Sequence, residues 1–83
     1  MSSLTQAHVY ISGRVQKVGF RYWTKKQAQR LGLTGWVKNL PNGNVEAIFQ
    51  GPKGKTEKMI EKCKQGPVWT GDNQIEVDWQ KPK

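Results

Sequence analysis

The run Gly13-Arg14-Val15-Gln16-Lys17-Val18-Gly19-Phe20-Arg21 constrains this chain more than any other stretch. Before it, Ala7 to Ser12 alternates: Val9 and Ile11 share one face, His8, Tyr10 and Ser12 the other, the period of a strand with a buried side. After it, Phe20, Trp23 or Thr24, Ala28 and Leu31 fall at helical spacing, with Lys25, Lys26, Gln29 and Arg30 toward water. The run between them is a strand-to-helix turn, with glycine at both ends and Arg21 where the helix begins. Successive backbone N–H groups at such a turn form a concave donor site, and the helix dipole adds about half a positive charge. Arg21 adds a planar fork of donors matched to phosphate. The expected ligand of this loop is an anion.

The remaining chain reads as the frame around it. Gly32 is placed to end the first helix in a left-handed cap. Leu33 to Asn39 is a second strand, with Gly35, Val37 and Asn39 on one face and Trp36 and Lys38 on the other. Leu40-Pro41-Asn42-Gly43-Asn44 is turn chemistry, and Val45 to Gln50 returns as a strand with Val45, Ala47 and Phe49 on one face. Gly51-Pro52-Lys53-Gly54 is expected to break it. A second helix then runs to about Lys64 with Met59, Ile60 and Cys63 inward, and Gly66-Pro67 ends it. Gln74 to Trp79 is the last strand. Residues 1–6 are expected to form a flexible arm and residues 80–83 a polar tail. The order strand, helix, strand, strand, helix, strand is the split βαβ pattern of a ferredoxin-like α+β fold. Right-handed crossovers place both helices on one face of an antiparallel sheet.

Eighty-three residues allow one domain, spanning 1–83. No apolar run approaches the ~20 residues of a membrane span, and the first six residues lack the basic start and apolar core of a signal peptide. Cys63 is the single cysteine, so no internal disulfide forms; it reads as a buried packing residue in a chain suited to a reducing cytoplasm. The net charge of +8 points either to nucleic acid or to a small anion. The lysines are spread along the chain with no basic block that carries interleaved aromatics, which disfavours specific nucleic-acid binding. A small basic domain with no obvious apolar patch is expected to be a monomer.

Reactive groups are few: one histidine, one cysteine and six carboxylates. No paired-carboxylate or metal-ligand spacing is present, and no nucleophile has a nearby base. An enzyme built from these residues needs a reaction that asks for little acid-base help. A phosphate ester is a poor candidate on that ground. An acyl phosphate is a good one, because its leaving group is a carboxylate already stable as an anion. Holding the phosphoryl group, neutralising its charge and orienting a water then suffice. Asn39 offers both an N–H donor and a C=O acceptor for orienting water.

Gly13-Arg14-Val15-Gln16 followed by Val18-Gly19-Phe20-Arg21 resembles the signature of acylphosphatases. So does Gly32-Leu33-Thr34-Gly35-Trp36-Val37-Lys38-Asn39, continuing through Gly43, Val45-Glu46 and Gly51. The resemblance spans residues from about 7 to 80, and the two motifs at this separation are specific together. It implies a small enzyme that hydrolyses carboxyl-phosphate anhydrides with no metal and no cofactor, its partners being acyl phosphate and inorganic phosphate. Arg21 would bind phosphate and Asn39 would orient the attacking water. Gln16, Lys17, Val18, Gly19 and Phe20 would cradle the phosphate oxygens through their N–H groups. Two departures stand out. Lys17 occupies a position where the family usually has glycine, which adds a cation beside the anion and carries a steric cost if φ is positive. The chain also stops after Trp79-Gln80-Lys81-Pro82-Lys83, where family members usually continue into a further short strand.

The same element order belongs to RNA-recognition domains, so a binding module is the rival reading. Their third strand carries aromatics that stack on bases. Asn44-Val45-Glu46-Ala47-Ile48-Phe49 lacks that motif and puts Glu46 where a basic residue would help. A catalytically impaired homologue that still binds anions or nucleic acid is the second alternative.

Overall fold

The computed structural model describes residues 4–13, 15, 19–66 and 73–81. The elements are β1 (Leu4–Ser12), α1 (Phe20–Arg30), β2 (Thr34–Asn39), β3 (Val45–Pro52), α2 (Lys53–Gln65) and β4 (Gln74–Gln80). The sheet order is β2-β3-β1-β4, antiparallel at every pairing. This is the βαββαβ order expected. α1 lies against β2, and α2 against β1 and β3.

The core forms where the alternating apolar residues of the sheet meet the helix stripes. Ala7, Val9, Ile11, Val45, Ala47 and Phe49 are buried on the sheet side. Phe20, Thr24 and Ala28 of α1 and Thr56, Met59, Ile60 and Cys63 of α2 close over them. Burial pushes the Cys63 thiol up to about 12, so it stays protonated and acts as a small apolar side chain. Burial of the larger of these sheet side chains, Val9, Ile11, Val45 and Phe49, stabilises the fold by roughly 1.5–3 kcal/mol each.

α1 ends as expected. Gly32 has φ +72, its N–H donates to the Gln29 carbonyl at 3.0 Å, and the Leu33 N–H donates to Ala28 at 2.9 Å. Those two bonds satisfy carbonyls the helix would otherwise leave open. At Leu40–Asn44 the backbone closes through Leu40 N–H to Asn44 O at 2.8 Å, and Asn42 Oδ1 accepts the Asn44 N–H at 3.0 Å.

Three expectations are corrected. Residues 4–6 are not an arm: β1 starts at Leu4, and Gln6 pairs with Gln50 on one side and Gln80 on the other. The polarity of Leu4-Thr5-Gln6 hid a strand whose pairing is set by its neighbours. β4 likewise takes in Gln80, whose side chain accepts a 2.8 Å hydrogen bond from Gln6 Nε2. Gly51-Pro52 does not break β3. Both residues still pair with β1, opposite Thr5 and Leu4, and the proline is tolerated because it is the last residue of the strand. Gly51 leaves room for Leu33, whose Cδ2 would lie 2.5 Å from a Cβ there. α2 therefore starts at once, at Lys53, with Thr56 Oγ1 donating to the Pro52 carbonyl at 3.1 Å. Of the tryptophans, Trp23 is partly buried against Phe20, whereas Trp36 and Trp79 are 45% and 44% exposed.

The sheet face away from the helices carries an ion cluster. His8 Nε2–H donates to Glu46 Oε2 at 2.5 Å, and Lys38 Nζ lies 3.4 Å from Glu46 Oε1. His8 stacks on Tyr10 and meets Trp36 edge-on, while Lys38 sits over the Trp36 ring. The hydrogen bond from His8, aided by Lys38, holds the Glu46 carboxyl below its ordinary value despite partial desolvation. On this face β3 presents Glu46, Ile48 and Gln50 and no aromatic, since Phe49 faces the core.

A lowered folded-state value means that Glu46 contributes stability at neutral pH and loses it as acid protonates the carboxyl. Glu46→Gln should therefore flatten the fall of the urea midpoint with decreasing pH in the acidic range; an unchanged slope would refute the role of this cluster. Gly35 has φ +135, and a Cβ there would lie 1.8 Å from the Ile48 carbonyl oxygen. Gly35→Ala should cost about 3 kcal/mol or more of unfolding free energy, read as a lower urea midpoint at constant m-value.

Candidate active site

The first glycine of the loop sits where β1 ends. Gly13 has φ +131, and a Cβ on it would approach Asn73 Oδ1 to 2.8 Å. Asn73 is buried and fixed from two sides: its Nδ2 donates to the Cys63 carbonyl at 3.0 Å and its backbone N–H to Lys64 at 3.0 Å. The C-terminal end of α2 thus braces the place where the loop leaves the sheet. Val15, 1% exposed, plugs the loop into the core.

The second glycine starts α1. Gly19 is the N-cap with φ +71 and ψ 23, a left-handed conformation in open space, so the backbone angle and not crowding requires glycine here. Its carbonyl accepts the Trp23 N–H at 2.9 Å, the first helical bond. The N–H groups of Phe20, Arg21 and Tyr22 precede that bond and have no acceptor within the helix. The N-cap makes no side-chain hydrogen bond and the first turn has no acidic residue, so α1 itself supplies no negative charge to offset its N-terminus.

Phe20 is fully buried and its ring lies 5.5 Å from that of Trp23. That burial sets the rotation of the first turn. Arg21, about 100° further round, points outward and is exposed, with no ion-pair partner among the described residues.

Asn39 is brought to the same end by the sheet. It pairs with Val45, which pairs with Ile11 near the end of β1. The row Asn39, Val45, Ile11 puts Asn39 about 10 Å across the sheet from β1. Paired residues share a face, so Asn39 lies on the helix side with Ile11 and Val45, as the alternation predicts. α1 runs back from this end over β2: Lys25, Ala28 and Gln29 flank the same cleft as Thr34 to Val37, which sets the first turn of α1 toward Asn39. Asn39 is exposed, and its side-chain amide has no hydrogen-bond partner among the described residues.

Of the predicted phosphate-binding residues, Gly19, Phe20 and Arg21 are thus at the start of α1, with Asn39 at the same end of the molecule. Gln16, Lys17 and Val18 lie outside the described residues. Sequence reasoning missed Val15 and Asn73 as supports. The alternation of Val15 and Val18 around polar residues gave a faint signal for the first; a polar residue just before a strand gave none for the second. Among the described residues no three His, Cys, Asp or Glu side chains gather as a metal site would need.

Among the described residues this end of the molecule offers a helix N-terminus with no acidic residue in its first turn, a guanidinium without an ion-pair partner and an amide without a side-chain partner. Groups of these kinds suit a phosphoryl group and a water better than acid-base chemistry. The comparisons with known proteins give the family. The acylphosphatase family model matches residues 7–83. The acylphosphatase of Nostoc sp. is 48% identical over 82 residues, covering 99% of this chain and 81% of the relative. The crystal structure of acylphosphatase from Bacillus subtilis matches with a TM-score of 0.89 and 34% identity, over 95% of this chain and 88% of that one. An acylphosphatase structure from Coxiella burnetii matches with a TM-score of 0.88 and 36% identity, over 94% of this chain and 82% of that one. This chain belongs to the acylphosphatase family.

Proposed function

We infer that the chain hydrolyses the carboxyl-phosphate bond of small acyl phosphates, giving a carboxylate and inorganic phosphate. The observation that carries this reading is the bare, positively polarised N-terminus of α1 with Arg21 in its first turn. The phosphoryl oxygens accept hydrogen bonds from the N–H groups of Gln16 to Arg21, and the Arg21 guanidinium pairs with two of them. Asn39, across the rim, accepts a hydrogen bond from the attacking water through Oδ1 and holds it in line with the P–O bond to the acyl group. The water oxygen bonds to phosphorus as that bond breaks, the electron pair leaves on the carboxylate, and the two protons of the water stay with the phosphate, which departs as dihydrogen phosphate. Since this leaving group needs no proton, the reaction calls on positioning and charge, which the site supplies, and not on a general acid, which it lacks. Lys17 adds a cation near the same anion. The chain acts as a monomer in the cytoplasm on this reading, consistent with an all-reduced, basic domain; no described helix is long and apolar enough to cross a membrane.

Arg21 is exposed and bears no packing load, so Arg21→Ala should leave the fold intact. It should cut kcat/KM for benzoyl phosphate by about 100- to 1,000-fold, the size of losing one preorganised charge contact in the transition state. Near-full activity from the folded variant would overturn the assignment. Asn39→Ala should act differently: kcat falls about 100-fold while the inhibition constant of inorganic phosphate moves less than about three-fold, because water positioning matters mainly in the transition state. Equal losses in both would mean that Asn39 merely helps bind phosphate.

A further inference from the structure

The phosphate end of the site is accounted for above; the acyl end is not. Beside it lies a cleft of about 370 Å3 between α1 and β2, lined by Lys25, Ala28, Gln29, Leu33, Gly35 and Val37 among others. Its position ties it to the site. Lys25 stands one helical turn beyond Arg21 on the same side of α1, and Val37 is the residue before Asn39 on the same face of β2. A substrate whose phosphate sits at the helix start and whose scissile bond faces Asn39 directs its acyl group along α1 into this cleft. The lining is apolar beneath, from Ala28, Leu33 and Val37, and its only charge is Lys25, at the rim.

The charge around the cleft is one-sided. α1 carries Arg21, Lys25, Lys26 and Arg30 and no acidic residue; α2 carries Lys53, Lys55, Lys58, Lys62 and Lys64 against Glu57 and Glu61. The described acids elsewhere, Glu46, Glu76 and Asp78, face the other side of the sheet. Lys25 has no ion-pair partner among the described residues. Thus an ammonium group without a counter-ion stands ~6 Å along the helix from the phosphate-binding arginine.

We propose that this cleft is the acyl subsite and that Lys25 selects acyl groups carrying a second negative charge, as in monoacyl phosphates of short dicarboxylic acids. In succinyl phosphate two methylenes separate the distal carboxylate from the reacting carbonyl, so the carboxylate reaches Lys25 while the phosphate stays at Arg21. The two methylenes lie on the apolar floor. This proposal rests on the acyl-phosphate reading of the site.

The test compares kcat/KM for succinyl phosphate and acetyl phosphate in the wild type, in Lys25→Met, and in Lys55→Met, which removes the same charge from α2. The succinyl-to-acetyl ratio should fall roughly five-fold in Lys25→Met and stay at the wild-type value in Lys55→Met. An unchanged ratio in Lys25→Met overturns the proposal, as does an equal fall in both variants, which would be the general field of the helix layer. If the wild type hydrolyses neither substrate, the hydrolase reading itself fails. Titration calorimetry with the phosphonomethyl ketone analogues of the two substrates then decides the subsite separately. Weaker binding of the succinyl analogue alone in Lys25→Met supports it, and equal weakening of both overturns it.

Discussion

The burial of Phe20 is the contact on which the functional end of the molecule depends. A helix N-terminus serves an anion only when its amides are held in a fixed direction; otherwise the ligand must bear the entropy of ordering them. Phe20 is fully buried one residue after the left-handed Gly19, so the chain turns sharply and is pinned at once. Val15 pins the loop on its other side and Asn73 backs the glycine where it begins. The strand and helix ends at this rim are thereby anchored by apolar burial, while Arg21 has no ion-pair partner among the described residues.

The composition of this chain follows from that division of labour. Its chemistry requires no histidine or carboxylate at the rim, and among the described residues cations outnumber acids in the helix layer, where Glu57 and Glu61 are the acids, whereas acids outnumber Lys38 on the open face. Cations line the helix layer, where the substrate's charge must be met; Glu46, Glu76 and Asp78 lie on the open face. The local cluster of His8, Glu46 and Lys38 ties β1, β2 and β3 together on that open face. Among the described residues of that face, Glu46, Glu76 and Asp78 outnumber Lys38, the reverse of the balance on the helix layer.

Much of this was legible in the sequence because it rests on short-range rules. Glycine at 13, 19 and 32 marks positions with positive φ, and periodicity identified the helix stripes and the alternation that puts Asn39 on the helix side. What was hidden depends on distant partners. Leu4 to Gln6 are strand only because β3 and β4 pair with them. Gly51-Pro52 has breaker chemistry, yet continues a strand because Thr5 and Leu4 lie opposite and Leu33 needs the space. Asn73 has no local signature, since its two partners belong to the end of α2. The exposure of Trp36 and Trp79 is likewise not readable from residue type, since it depends on how much of each strand face its neighbours cover.

The strand order carries a consequence for how the chain acquires its shape. β1 is central, and neither of its neighbours is close in sequence: Gln6 and Gln80 hydrogen-bond across 74 residues, and His8 meets Glu46 across 38. Only the β2-β3 hairpin can zip from a local turn. Every pairing of β1 must close a long loop before any burial rewards it, which places this topology toward the slower end of two-state folders. Gly13 follows the end of β1 and is backed by Asn73, so the support at that end of the sheet forms only after the chain has come round as far as residue 73. No fragment that pairs early contains it, and a nascent chain still awaiting its last strand lacks it.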